Sequence, residues 1–348
     1  MRDTLRGPTL DDVARTCGVS KATVSLSLRP GDTDCPVAEA TRRRVVRVAR
    51  RMGYCPDWRA RALASRRTHT IGWLSTRPAE SAGRVYATMA AALSERLWRH
   101  GYQLSIIPVT PRDDSWDTTL RDARMDGCVV IEELPATLDV ALRERDVPTV
   151  LLNVSSRAPY RQLAPDDRAG ARLATRHLIE LGHERIAFLR SEAATGHFSA
   201  TERAAGFRAA MAEAGHARKA RVVTAEPQRF ARGLARGTSK STAVVAYSDS
   251  EAIRLLRALH ESGVRVPDDV SVVAFNDLYP AGDLIPPLTT VAVPFRQMAE
   301  AGADAIVDMI ASDARTRRDV TLLPERLVVR ASTAPRARKG RHTRCERQ

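Results

Sequence analysis

From Thr70 onward, short runs of β-branched and aliphatic residues alternate with stretches of helical periodicity, which restricts this part of the chain to parallel sheets covered by helices. The runs are T-I-G-W-L-S (70–75), Q-L-S-I-I-P-V (103–109), G-C-V-V-I (127–131) and P-T-V-L-L-N (148–153), with helices predicted near 85–100, 116–124 and 136–145. A second set follows: R-I-A-F-L-R, A-R-V-V-T, T-A-V-V-A and V-S-V-V-A-F, with helices near 169–181, 200–214 and 250–262. Two groups of this kind predict an α/β body of two doubly wound lobes. Ligands of open parallel sheets sit beyond the carboxyl ends of the strands, so two facing lobes form a cleft there.

A length of 348 residues allows two or three domains, and 43% apolar against 28% charged residues excludes a mostly disordered chain. The net charge of +14 is unevenly spread. Residues 1–70 hold 15 Lys+Arg against 7 Asp+Glu, residues 331–348 hold 6 against 1, and the body between is nearly neutral. A coding bias toward Arg explains Arg in place of Lys but not why the excess avoids the middle, so the ends read as polyanion-binding. No apolar stretch reaches the ~20 residues that span a bilayer, and the start is polar; the expectation is a cytoplasmic protein with no membrane partner. Five scattered cysteines without a Cys-x-x-Cys pair argue against disulfides and zinc, and no cofactor or metal is expected.

Near the start, Leu10, Val13, Ala14 and Cys17 fall on one helix face, with Thr9 and Asp12 spaced as a capping box and Gly18 as a stop. Ser20 suits the N-cap of a second helix a few residues on. Two short helices so close are a helix-turn-helix pattern, although a core pair would look alike on spacing alone. In the first reading Lys21, Ala22 and Leu26 point away from Val19 and Val24 and read bases, while Thr23 and Ser25 reach phosphates. A third helix is expected over 37–52, ringed by arginines and closed by Gly53.

The run T-L-D-D-V-A-R-T-C-G-V-S-K-A-T-V-S, with V-A-E-A-T-R-R-R-V and M-G-Y-C-P-D after it, resembles the headpiece of lactose-repressor-type (LacI/GalR) transcription regulators, and the resemblance continues to about Ser332. It implies a homodimer on the half-sites of double-stranded operator DNA, with a core fold like that of periplasmic sugar-binding proteins. It also implies a DNA-facing set of Thr9, Ser20, Lys21, Ala22, Thr23, Ser25, Leu26 and Arg29. Within a linker at 57–69, Leu63 would be a minor-groove wedge beside Ala64, with Arg66 and Arg67 near phosphates. Arg29 stands where the family commonly has Asn, and the loop 29–36 is long and Pro-rich.

The resemblance places effector contacts at Asn153, Arg203, Ser248 and Asn276, beside Asp249 and Asp277. Arg203 agrees with the family. Asn153 and Asn276 replace the Asp of many sugar-binding members, and Ser248 replaces Asn or Thr, so the site keeps amides that both donate and accept. Any of these polar residues also suits a cap or a strand end. The segment A-G-R-V-Y-A-T-M departs from the family, and 225–241 reads as shortened. His177 and His183 lack partners at metal-ligand spacing and read as structural.

The expected organisation is a headpiece at 1–56, a hinge at 57–69, a two-lobed effector and dimerisation core at 70–332 and a basic disordered tail at 333–348. The tail has no Leu heptads, which favours a dimer. The expected function is a repressor whose operator affinity follows a small-molecule effector, by resemblance a sugar or related metabolite. A solute-binding protein of the same lobe fold is the alternative, which the headpiece opposes. An enzyme is not expected, because no phosphate loop or nucleophile elbow is present.

Overall fold

The structure, a computed structural model, describes residues 7–28, 36–55, 67–76, 83–110, 115–122, 124–312 and 318–336. They fall into two units, Met1–His69 and Thr70–Gln348.

In the first unit α1 (Leu10–Cys17), α2 (Lys21–Ser27) and α3 (Glu39–Met52) enclose Val13, Ala14, Cys17, Val24, Val45 and Ala49. The capping box is made: the Asp12 N–H donates to Thr9 Oγ1 at 3.3 Å, and the Thr9 N–H donates to Asp12 Oδ2 at 2.9 Å. Gly18 ends α1 at φ 61°, a conformation that strains any side chain. Ser20 Oγ accepts the Thr23 N–H at 3.0 Å and starts α2. Arg29, Leu63 and Ala64 lie outside the described residues, as does Arg66.

The second unit runs β1 (Thr70–Ser75), α4 (Arg84–Arg99), β2 (Gln103–Pro108), α5 (Ser115–Arg121), β3 (Gly127–Ile131), α6 (Ala136–Glu144), β4 (Thr149–Leu152), β5 (Arg161–Pro165) and α7 (Asp167–Glu180). It continues through β6 (Ile186–Arg190), α8 (Phe198–Glu213), β7 (Arg221–Thr224), α9 (Pro227–Ala235), β8 (Ala243–Ala246), α10 (Asp249–Glu261) and β9 (Ser271–Asn276). The last elements are β10 (Thr289–Ala292), α11 (Phe295–Ser312), β11 (Asp319–Leu323) and β12 (Arg326–Val328). One sheet has the order β11-β5-β4-β3-β1-β2 and the other β12-β10-β9-β8-β6-β7. All pairings are parallel except β10 with β12. Strands β3, β4 and β8 are buried at every position, so they read as continuous apolar runs rather than as alternation.

The chain passes between the lobes three times: from β5 through Asp166 into α7, from β10 through Val293 and Pro294 into α11, and from β11 through Pro324 and Glu325 into β12. The lobes are therefore not consecutive halves. Helix α11 returns to the first lobe, where Met298, Ala299, Ala303 and Ile306 share a core with Met89, Leu93 and Leu97 of α4. Sequence reading located neither α11 nor β5, α9 and β10 to β12. β5 was hidden by its polar start, because buried Gln162 is satisfied locally: its amide oxygen takes the Ser156 N–H at 3.0 Å and its amide nitrogen donates to Ser156 O at 2.8 Å. The core also passes the expected boundary at 332, since the Ala334 N–H donates to Ser271 Oγ at 3.1 Å and the Arg336 N–H to Leu181 O at 2.8 Å. The tail expected from 333 therefore begins no earlier than 337.

Helices α7 and α8 touch most closely at Gly206, where an added Cβ would lie 2.2 Å from Arg168 O and 2.9 Å from Ala171 Cβ. Gly206→Ala should cost about 1–3 kcal/mol in urea unfolding by forcing the helices apart. In α9, where a Cβ at Gly233 meets nothing nearer than 3.4 Å, Gly233→Ala should instead be neutral or stabilising by up to ~1 kcal/mol.

Candidate functional site

In the first unit, the packing of Val24 against α1 and α3 turns Lys21, Ala22 and Ser25 outward, and all three are exposed. Leu26 is half-buried rather than fully outward. Lys21 Nζ lies 3.1 Å from Asp11 Oδ1, an exposed pair of the kind worth little in water and readily exchanged for a phosphate or a base. Thr23 has a more internal role than expected: its amide is capped by Ser20, and its hydroxyl lies 2.9 Å from the Ser20 hydroxyl. Thr9 is likewise committed, its hydroxyl donating to Asp12 Oδ2 at 2.7 Å. These bonds from Thr9 hold the Asp12 carboxyl below the usual range. On α3, Arg43, Arg44, Arg47, Arg50 and Arg51 are exposed, and Arg43 pairs with Glu39 at 2.8 Å.

In the second unit, topology settles which sheet edges meet. β5 and β11 leave the first lobe at their carboxyl ends, and β10 leaves the second lobe at its carboxyl end. The carboxyl edges of both parallel sheets therefore face the junction between the lobes. Four non-glycine residues at these edges have positive φ: Glu132 (72°) after β3, Asn153 (56°) after β4, then Asn276 (111°) and Asp277 (52°) at the end of β9. Such backbone strain concentrates at ligand sites.

Arg203, Ser248 and Asn276 come together in the second lobe. Arg203 of α8 donates from Nη1 to the carbonyl of Tyr247, the neighbour of Ser248, at 2.6 Å. Its guanidinium lies 4.2 Å from the ring centre of Phe275, the neighbour of Asn276. Asn153 belongs to the facing edge of the first lobe. The side-chain amides of Asn153 and Asn276 make no hydrogen bond among the described residues, which leaves them available to a ligand. Ser248 is instead the N-cap of α10, its hydroxyl accepting the Glu251 N–H at 3.2 Å.

Arg203 is more enclosed than its expected role suggested. It is 4% exposed, and its Nε donates to Asp167 Oδ1 at 2.5 Å. Burial pushes the Asp167 carboxyl up, and the Arg203 guanidinium opposes that rise. Asp249 is buried below the β9 end, accepting from the Leu278 N–H at 2.9 Å and the Thr290 hydroxyl at 2.7 Å; burial lifts its carboxyl to about 6. Asp277 is paired with Arg330 at 2.7 Å. Sequence reasoning missed Asp167 and Tyr247, which carry no motif and are recognised only through Arg203. It also missed Arg84, which donates to the Tyr279 carbonyl and lies 5.1 Å from that ring, joining α4 of one lobe to the segment after β9 of the other.

His183 is structural, bonded through Nδ1 to Thr242 Oγ1 at 2.9 Å and through Nε2 to Ser271 Oγ at 3.1 Å, and His177 meets Thr333 Oγ1 at 3.0 Å. Among the described residues no group of His, Cys, Asp and Glu is arranged to hold a metal ion, and no helix is long and apolar enough to cross a membrane.

The bacterial regulatory proteins of the lacI family match residues 9–57, and the periplasmic binding protein-like domain matches 175–333. The HTH-type transcriptional repressor PurR of Vibrio parahaemolyticus is 31% identical over 92% of this chain and 97% of its own length. The HTH-type transcriptional regulator DegA of Bacillus subtilis is 28% identical over 94% and 98%. Among solved structures, the lac repressor dimer bound to operator and the anti-inducer ONPF superposes with a TM-score of 0.78 at 27% identity, covering 94% of this chain and all of that one. A complex of the transcriptional regulator CelR with cellobiose superposes with a TM-score of 0.68 at 29% identity over 93% and 99%.

Removing Arg203 would leave Asp167 as a buried, unpaired carboxylate. Arg203→Ala should therefore cost about 3–5 kcal/mol in urea unfolding, and Asp167→Asn in the same chain should recover part of the loss. An Arg203→Ala chain as stable as the parent would mean that the guanidinium does not neutralise Asp167.

Proposed function

The chain belongs to the lacI family of bacterial regulatory proteins, and from that premise we propose that it is a homodimeric, sequence-specific DNA-binding repressor whose operator affinity is set by a small molecule held between the core lobes. The observation that carries the reading is the outward face of α2, where Lys21, Ala22 and Ser25 stand clear on a helix fixed from behind by Val24. Lys21 and Ala22 read base edges, with Leu26 at the margin of that face. Ser25 reaches phosphate, Arg29 extends the backbone contacts, and Thr9, Ser20 and Thr23 contribute mainly by shaping the two helix starts. Leu63 is the minor-groove wedge of the hinge, beside Ala64.

The effector binds where the carboxyl edges of the two sheets meet. Asn153 and Asn276 offer donor and acceptor from opposite lobes, and Arg203 presents what remains of its guanidinium after Asp167 and the Tyr247 carbonyl are served. Ser248 acts there through the cap it makes. A polyhydroxylated molecule, a sugar or related metabolite, suits this mixture. Such a ligand moves the lobes only by binding their two arrangements unequally. A second copy of the chain covers apolar surface left on edge strand β2 at Ile106, 60% exposed, and on α4 at Trp98, 70% exposed. The protein acts in the cytoplasm, as a regulator and not as an enzyme.

Selection from a random duplex library with the full chain should return a near-palindromic consensus. A Lys21/Ala22 double variant should return a different one, with each altered contact worth about 1–3 kcal/mol, whereas Leu63→Ala should keep the consensus and bind it more weakly. The same consensus from the double variant would overturn the orientation of α2, and no consensus from the parent chain would overturn the regulator.

A further inference from the structure

Two of the three passages between the lobes carry acids, and the acids meet. Asp166 stands in the first passage, with Asp167 beside it as the first residue of α7, and Glu325 stands in the third; the passages are joined where the Asp166 N–H donates to Leu323 O at 2.9 Å. Arg203 serves this group, its Nε bonded to Asp167. Glu325 is 8% exposed, and both of its carboxyl oxygens are buried with no hydrogen-bond partner among the described residues. It is pressed onto the first turn of α7: a Cβ added at Gly170 would lie 1.6 Å from Glu325 Oε2 and 3.2 Å from Val291 Cγ1 of β10. A glycine is needed there because the carboxyl fills the side-chain space.

An ionised carboxylate with neither water nor a donor is expensive to keep. The charged groups facing Glu325 do not remove that cost. Arg203 from α8 attracts a negative charge and Asp167 and Asp166 repel it, while Val291 of β10 lies against the same space beside Gly170 and carries no charge. Arg203 is further shared with the Tyr247 carbonyl, and Glu202 adds a negative charge near Asp167. Burial dominates and lifts the Glu325 carboxyl to about 8.

We propose that Glu325 is a proton-linked switch point of the core, a neutral acid in the arrangement described and a carboxylate in any arrangement that lets water into the third passage. This rests on the two lobes being the moving part of the regulator, as set out above. If one arrangement holds the proton and the other releases it, operator affinity must change with pH by linkage, and proton uptake must change with operator binding.

The test compares the full chain with Glu325→Gln and Glu325→Met, which cannot ionise. Thermal unfolding from about pH 5 to about pH 9 comes first: a carboxyl with a raised folded pKa contributes fully at low pH and loses its advantage as pH rises through that pKa, so the parent should lose stability relative to both variants. Parallel melting curves, or two variants that fail to fold at any pH, overturn the proposal. Next, binding to the operator fragment recovered by selection is measured over the same range at fixed salt. The slope of log Kd against pH should differ between parent and variants by up to one proton per subunit, two per operator-bound dimer, or about a hundredfold in Kd per pH unit. Parallel slopes beside diverging melting curves would leave Glu325 a buried acid and no switch, and the proposal would fail while the regulator stands. A selection that yields no consensus removes the regulator and the proposal with it.

Discussion

The bond between Arg203 and Asp167 is where the core's architecture and its candidate ligand chemistry become one problem. Asp167 is the first residue of α7 and follows directly on a passage between the lobes, while Arg203 stands on α8 beneath the ends of β8 and β9. The rings of Phe275 and Tyr247 lie 4.2 and 5.1 Å from the guanidinium. Stacking, the Tyr247 carbonyl and the carboxylate together make the burial of a cation tolerable, and they fix the guanidinium plane. A buried ion pair of this kind gives little net stability over an apolar pair, but removing one partner is costly, so each element that supplies a partner is held to the others. Through it α7, α8, β8 and β9 are bound to one geometry at the edge that faces the other lobe.

The first unit solves a different problem. Among the described residues its fully buried core is six small or medium side chains, with Leu10, Val19, Leu28, Val48, Met52 and Tyr54 partly buried around them, a small core for three helices. Helix ends therefore matter more there: the Thr9–Asp12 box, the Ser20 cap and the glycines at 18 and 53 satisfy polar groups that the small core cannot shield. Each cap also sets where the following helix begins, and so which residues of α2 face outward. Thr9, Ser20 and Thr23 are thus committed to the helix starts, whereas Lys21 and Ala22 stand exposed on α2.

What could be read from the residues depended on how local the signal was. Capping chemistry and buried parallel strands leave compact marks, and α1, α2, β1 and β3 fell within a residue or so of their expected positions. Elements whose burial depends on distant partners left no such mark. β5 is polar until its Gln162 is seen bonded to Ser156, and β12 is three residues long and pairs antiparallel to β10. The candidate cleft divided in the same way. Arg203 was legible through its surrounding motif, but its partner Asp167, the crowding at Gly170 and the capping role of Ser248 are properties of three-dimensional neighbours that no spacing along the chain records.

The return of α11 to the first lobe bears on synthesis. The first-lobe core needs Met298 and Ile306 against α4, and its sheet needs β11 beside β5, yet both arrive after all of the second lobe but β12 has been made. The second sheet in turn receives β12 last. Neither lobe is complete on the ribosome until nearly the whole chain has emerged, whereas the apolar cluster of the three-helix unit, among the described residues, lies between Leu10 and Tyr54. A nascent chain thus carries a finished DNA-facing module ahead of an unfinished core, with bare sheet edges exposed to chaperones and proteases for most of translation. Premature termination anywhere before residue 323 would release a chain in which neither lobe can close.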